Sequence, residues 1–285
     1  MTACIGAFAA IRRRPGLGRE LIFQPGRLRP RGLLALQRRR GSRLIVIVYP
    51  PFVSRASLLD LGIVPYREAL DRQRSLAAAV AAGEIPDTVV LLEHPPVITT
   101  GRRTDQATEI HIPDGAVVEL VETDRGGKST YHAPGQLVCY PIIDLHRHGK
   151  DVRKYVRDLE QAILQTLAAF ELGATTIEGL TGVWLPPAGA QGPRKIASIG
   201  VRVTRWVTTH GYALNVDLDP APFTEWITAC GLDDAAFTSM ARELGRPVAV
   251  DDVKPAAVAA LADVFGLAFD ELSLADAGAP LAARR

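Results

Sequence analysis

Residues 125–132 read Arg-Gly-Gly-Lys-Ser-Thr-Tyr-His, which puts two adjacent glycines, two cations, two aliphatic hydroxyls and an imidazole into eight positions. Paired glycines free the backbone for positive φ and let a ligand approach the main chain closely. A polar glycine loop feeding an apolar run, here residues 137–143, is how binding loops are held on a rigid scaffold. The loop has neither the GxxxxGK[ST] nor the GxGxxG spacing, so it is not a phosphate cradle of either type. Reactive groups lie further along the chain. Cys230 stands in Thr-Ala-Cys-Gly-Leu, where the following glycine suggests a turn that can present a thiol to a cleft. Taken alone, a single cysteine is more often a small buried hydrophobe, and that reading is preferred for Cys139 inside its apolar run. Lys195 opens an apolar strand after a Pro/Gly-rich loop. It is either a solvated strand end or an ammonium aimed into a pocket, where it lowers a thiol pKa from about 8.5 and makes a nucleophile available. His132 and His210 are candidates to bind a carbonyl or phosphate or to orient a reactive group, against the plainer reading of satisfied structural histidines. His111, His146 and His148 read as loop residues.

The elements that must position these groups are legible in part. Ala69, Leu70, Gln73, Leu76, Ala77 and Val80 recur at helical spacing, so a helix is predicted over residues 66–82 with Gly83 as its stop. A second helix is predicted over residues 151–170, with Val152, Tyr155, Val156, Leu159, Ile163, Leu167 and Phe170 on one side. Strands are predicted at residues 88–93, 117–123, 137–143, 182–185, 195–203 and 208–216, a strand running into a loop at residues 97–103, and a further helix at residues 256–265. Strands and helices mix irregularly rather than alternating, so one α/β (α+β) domain is expected and not a doubly wound sheet.

The chain has 285 residues and a formal charge of +2. Residues 1–43 carry eleven arginines and one acid, Glu20, about +10 in all. Taking +10 from +2 leaves −8 on the remainder, which argues against a general nucleic-acid surface on the folded body. The basic stretch has three explanations: a flexible tail, a transit-like peptide, or translated sequence upstream of the true start, which is the favoured one. The expected organisation is an extension over residues 1–55, a catalytic domain over 56–275 and a flexible tail over 276–285. No apolar stretch reaches the length of a membrane span. Cys4, Cys139 and Cys230 form no CxxC pair, so no metal site is expected, and a reduced, cytoplasmic compartment is the simpler reading.

Read together, residues 125–142, the run 195–202 (Lys-Ile-Ala-Ser-Ile-Gly-Val-Arg), the run 210–216 (His-Gly-Tyr-Ala-Leu-Asn-Val) and Ala229-Cys230-Gly231 resemble the lipoyl(octanoyl) transferase family in order and approximate spacing. Leu61-Gly62 and Tyr66 resemble that family's opening. The resemblance covers about residues 57–245. One departure is Ala229, where the family often has proline. The resemblance implies the catalytic fold shared with lipoate and biotin protein ligases. It implies a cofactor-free acyltransferase that takes an octanoyl group from acyl carrier protein. The acceptor is a specific lysine of a lipoyl domain, as in 2-oxoacid dehydrogenases and the glycine cleavage H protein. It carries over Cys230 as the thioester nucleophile and Lys195 as its activator. Arg125, Gly126, Gly127, Lys128, Ser129, Thr130, Tyr131 and His132 then line the acyl pocket, with Ser198, Ile199, Gly200, Gly211, Tyr212 and Ala213. Two competing readings share the fold: an ATP-dependent lipoate–protein ligase, which needs no cysteine, and a non-catalytic acyl- or carrier-binding protein.

Overall fold

The computed structural model describes residues 53–189, 192–227 and 236–271. Cys230 lies outside the described residues, as do nearly all of the arginine-rich extension and the C-terminal tail. Ser54 and Arg55, assigned by sequence to the extension, belong instead to the first strand.

The main sheet runs β12-β1-β2-β6-β10-β9-β8-β7, with the short β11 (Ala236–Phe237) also paired to β9. Its middle is β1 (Ser54–Ile63), β2 (Asp87–Glu93), β6 (Gln136–Ile142), β10 (Val207–Asn215) and β9 (Arg194–Thr204), completed by β7 (Thr175–Ile177), β8 (Leu180–Leu185) and β12 (Leu267–Glu271). β1 is parallel to both β12 and β2, and the ladder from β2 to β7 is antiparallel. A smaller sheet, β4-β3-β5, is built from β3 (Val97–Thr100), β4 (Glu119–Glu122) and β5 (Thr130–His132).

Alternation along the central strands explains the layering. Val89 and Leu91 of β2, Leu137 and Cys139 of β6, and Tyr212 and Leu214 of β10 face one side. Helices α3 (Val152–Ala168) and α6 (Val250–Phe265) cover that side with Tyr155, Leu159, Ile163, Ala257 and Leu261. Val90 and Leu92, Val138 and Tyr140, and Ala213 face the other side, against Ala69 and Val80 of α1 (Tyr66–Ala82). Because both faces are covered, β2 and β6 read as unbroken apolar runs rather than alternating ones. Local chemistry sets the helix ends. Asp151 accepts from the Lys154 N–H at 2.9 Å as the N-cap of α3, and Gly83 closes α1 at φ +73°. The short helices α2 (Gln106–Glu109), α4 (Pro222–Glu225) and α5 (Met240–Leu244) carry no clear periodicity. Among the described residues no helix is long and apolar enough to cross a membrane.

Candidate active site

A cavity of about 270 Å³ opens on the α1 side of the main sheet, between that sheet and β5. That is near the lower end of small-molecule sites, which run roughly 300–1,000 Å³. Its base is apolar and aromatic, with Val138, Tyr140 and Ala213 from the sheet and Tyr66 from the start of α1.

The glycine loop forms one wall and is braced by its own arginine. The Arg125 guanidinium donates to the Thr99 carbonyl and hydroxyl at 2.7 and 2.9 Å, and to the carbonyls of Lys128 and Gly126 at 2.7 and 3.1 Å. Arg125 is thus a peg that shapes the loop. Gly127 takes φ +89°, a conformation side chains resist, and its carbonyl accepts from the Arg103 N–H at 3.3 Å. Gly126 is outside the lining and donates its N–H to the Val201 carbonyl at 3.0 Å, tying the loop to β9. Lys128 pairs with Glu109 of α2.

Tyr131 departs from the expected lining for a simple reason. Successive residues of a strand point to opposite faces. Thr130 and His132 of β5 face the cavity, so Tyr131 turns away and meets Phe223 and Trp226 edge-on at 5.9 and 5.6 Å. The same rule divides β9 and β10. Ser198, Gly200, Gly211 and Ala213 are on the cavity face. Ile199 and Tyr212 border the cavity, while their side chains pack into the α3/α6 core.

Lys195 reaches the cavity because the β8–β9 register slips. Val183 pairs with Ala197, but Trp184 pairs with Lys195 and not with Ile196. The extra residue is a β-bulge, which re-aims the side chains beyond it. Without it Lys195 would share the core-facing side of Ala197. With it, Lys195 and Trp184 both line the cavity, the ammonium 5.1 Å from the indole centroid. Lys195 is 4% exposed, so little of its side chain reaches solvent. Gly182 makes room for this arrangement. At φ +118°, a Cβ there would sit 2.6 Å from the Ala197 carbonyl oxygen and 2.8 Å from Lys195 Cε.

His210 enters the cavity through a second irregularity. Pro141 of β6 has no N–H to give, and β6 pairs with β10 only from Tyr212 onward. Thr208 bridges the gap, its hydroxyl donating to the Pro141 carbonyl at 2.6 Å and accepting from the Ile143 N–H at 2.8 Å. His210 adopts φ +57°, strain of about 1–3 kcal/mol, and its N–H goes to the buried Gln73 of α1 at 2.7 Å. Its Nε2 meets Asp124 at 3.0 Å. Burial lowers the His210 pKa, and the Asp124 carboxylate offsets only part of that.

Two further histidines belong to the same wall, His132 lining the cavity and His94 behind it. His94 is fully buried between the Val64 carbonyl at 2.6 Å and the Tyr140 hydroxyl at 2.7 Å. Burial brings its pKa down to about 4. His132 contacts the Gln136 side-chain oxygen at 2.7 Å, and burial followed by the neighbouring His94 drives its pKa well below the usual value. Burial also pushes the Tyr66 hydroxyl up to about 12, despite Arg125. Cys139 is fully buried in the core, and burial pushes its thiol pKa up, the opposite of an activated nucleophile.

Tyr66, Tyr140, Trp184 and Arg103 line the cavity but were not among the sequence candidates. Tyr140 and Trp184 read as ordinary core residues of strands, and only the register of neighbouring strands distinguishes them. Tyr66 carried two signals, its place at the head of the first predicted helix and its part in the family's opening.

Comparison with known proteins bears on this site. The family model described as the lipoyl protein ligase A/B catalytic domain matches residues 65–262. An octanoyltransferase of Mycobacterium leprae is 50% identical over 206 residues, covering 72% of this chain and 86% of its own. One from Mycobacterium tuberculosis is 51% identical over 211 residues, covering 73% and 87%. Among solved structures, a bipartite lipoate protein ligase of Thermoplasma acidophilum aligns with TM-score 0.61 at 16% identity, covering 77% of this chain and 88% of that one. A lipoate-protein ligase A bound with ATP aligns with TM-score 0.56 at 16% identity, covering 78% and 90%. These two structures share the fold.

Proposed function

The chain belongs to the octanoyltransferase family within the lipoyl protein ligase A/B catalytic fold, and from that premise we propose how it transfers its acyl group. It is an octanoyl-transferring enzyme of protein lipoylation, and the ATP-dependent ligase reading is not favoured over it. The donor is the octanoyl thioester of acyl carrier protein, and the acceptor is a lysine of a lipoyl domain. Cys230 takes the acyl group as a thioester. Thioester exchange is nearly isoenergetic, so the first step needs no ATP, and amide formation drives the second. Lys195 stabilises the Cys230 thiolate and gives its proton to the departing donor thiolate.

The observation that carries this reading is the bulge that turns Lys195 into an aromatic-floored cavity. A strand ammonium on the core side needs no such device. The acyl chain lies over Val138, Tyr140 and Ala213. Each methylene contributes only about 0.8 kcal/mol, so chain-length selection is graded and not absolute. A free thiol nucleophile suits a reducing compartment, and the cytoplasm is the compartment we propose.

The test is transfer to an apo lipoyl domain from octanoyl-carrier protein without nucleotide, beside octanoate with ATP. Transfer from the carrier protein alone is expected. Transfer only from octanoate with ATP would replace this reading with the ligase.

A further inference from the structure

Three histidines meet around this cavity, and hydrogen-bond partners that can only accept fix the tautomer of each. His94 Nδ1 faces the Val64 carbonyl, so Nδ1 carries the hydrogen and Nε2 accepts from the Tyr140 hydroxyl. His210 Nε2 faces the Asp124 carboxylate, so Nε2 carries the hydrogen and Nδ1 looks to the Tyr66 hydroxyl at 3.5 Å. For His132 the chain of logic is longer and equally closed. The Thr238 carbonyl can only accept, so the Asn215 atom at 3.0 Å is its NH₂. The other Asn215 atom is therefore oxygen, and it accepts from the Gln136 NH₂ at 2.9 Å. The Tyr131 carbonyl, 3.3 Å from the same Gln136 nitrogen, demands the same orientation. The Gln136 oxygen is left for His132 Nδ1 at 2.7 Å, so Nδ1 carries the hydrogen.

His94 and His210 thus present their lone pairs to tyrosine hydroxyls. His132 differs: its ring lines the cavity, and no donor among the described residues reaches its Nε2. We propose that His132 Nε2 is the base that accepts the proton of the attacking lysine amine in the second half-reaction. This rests on the thioester reading above. The amine nitrogen bonds to the thioester carbonyl carbon as the C–S bond breaks, and that electron pair leaves on sulfur. The proton lost by nitrogen goes to His132 Nε2, and the resulting imidazolium passes it on to the thiolate. The thiol then returns this proton to Lys195, left as a neutral amine by the first half-reaction, so the enzyme ends with a neutral ring, an ammonium and a thiolate, and the product is a neutral amide. Burial lowers the His132 pKa, so its Nε2 lone pair carries no proton at neutral pH. An amine nitrogen that has bonded to the carbonyl carbon is acidic enough to protonate it. The groups around the ring are His94, Arg125 and His210, with Gln136 behind it, and Arg125 opposes a resting imidazolium.

Two measurements test the assignment. In single turnovers, acylation of the enzyme by octanoyl-carrier protein is timed separately from transfer of the loaded octanoyl group to an apo lipoyl domain. His132→Gln is expected to slow the transfer at least about 100-fold more than the acylation, the scale of general-base catalysis. Equal slowing of both steps, or an undiminished transfer, would overturn the assignment. A wild-type enzyme that forms no octanoyl adduct would instead defeat the thioester reading. The second measurement needs no variant. Long-range ¹⁵N–¹H spectra of histidine-labelled wild-type protein are expected to show His132 with a hydrogen on Nδ1 and a bare Nε2, and the opposite tautomer would refute the proposal.

Discussion

Lys195 is held at 4% exposure over the face of Trp184, and an ammonium in such a site does most for a thiolate beside it. Lys195→Ala is expected to raise the pH at which Cys230 reacts with an alkylating agent, and an unchanged alkylation profile would remove its activating role. Cys139→Ala is expected to retain most transfer, because that thiol is a core residue whose burial keeps it protonated. The buried histidines also set a pH dependence. His94 has a folded pKa near 4, below its unfolded value of about 6.5. The unfolded chain therefore binds more protons in this window. Stability is full above about pH 6.5 and is lost as pH falls toward 4, at up to about 1.4 kcal/mol per pH unit for one such group. His132 and His210 act in the same direction. Melting temperature should fall across this window in the wild type. His94→Gln, which cannot gain a proton, should be less stable at pH 7.5 but show a shallower fall.

At the scale of elements, what positions the chemistry is irregularity. Two helices are plain in the sequence, residues 66–82 forming α1 over the predicted span and Asp151 capping α3, whereas α6 begins at Val250, six residues before the predicted start, and carries Pro255 inside it. The central strands are legible as apolar runs because both their faces are covered. β1 escaped notice because its Ser-Arg-Ala-Ser opening is polar and acquires strand geometry only between β12 and β2. The bulge that turns Lys195 could not be read either. It is a relation between Trp184 and Lys195 on two strands, and nothing local in either sequence encodes it. Tyr131 shows the converse, since strand alternation would have removed it from the lining had β5 been recognised. Gly182 carries the bulge's space requirement. Gly182→Ala is expected to cost on the order of 1–3 kcal/mol and to displace Lys195. Calorimetry checks the first effect, and a raised thiol pKa in the alkylation profile checks the second. A stable variant with an unchanged profile would show that the glycine is not needed there.

The molecule as a whole separates stability from chemistry by side of the sheet. The larger core lies between the sheet and α3/α6, while the cavity opens on the α1 side. Leu159→Ala, fully buried on the far side, should destabilise by about 2–5 kcal/mol and leave transfer per folded molecule intact. Denaturant titration with a single-turnover assay checks both halves of that statement. The central claim concerns Cys230, and intact-mass spectrometry addresses it most directly. After incubation with octanoyl-carrier protein, the wild type is expected to gain a single octanoyl group that hydroxylamine removes, and Cys230→Ala is expected to gain none. An adduct that persists in Cys230→Ala, or transfer by that variant at the wild-type rate, would contradict the account.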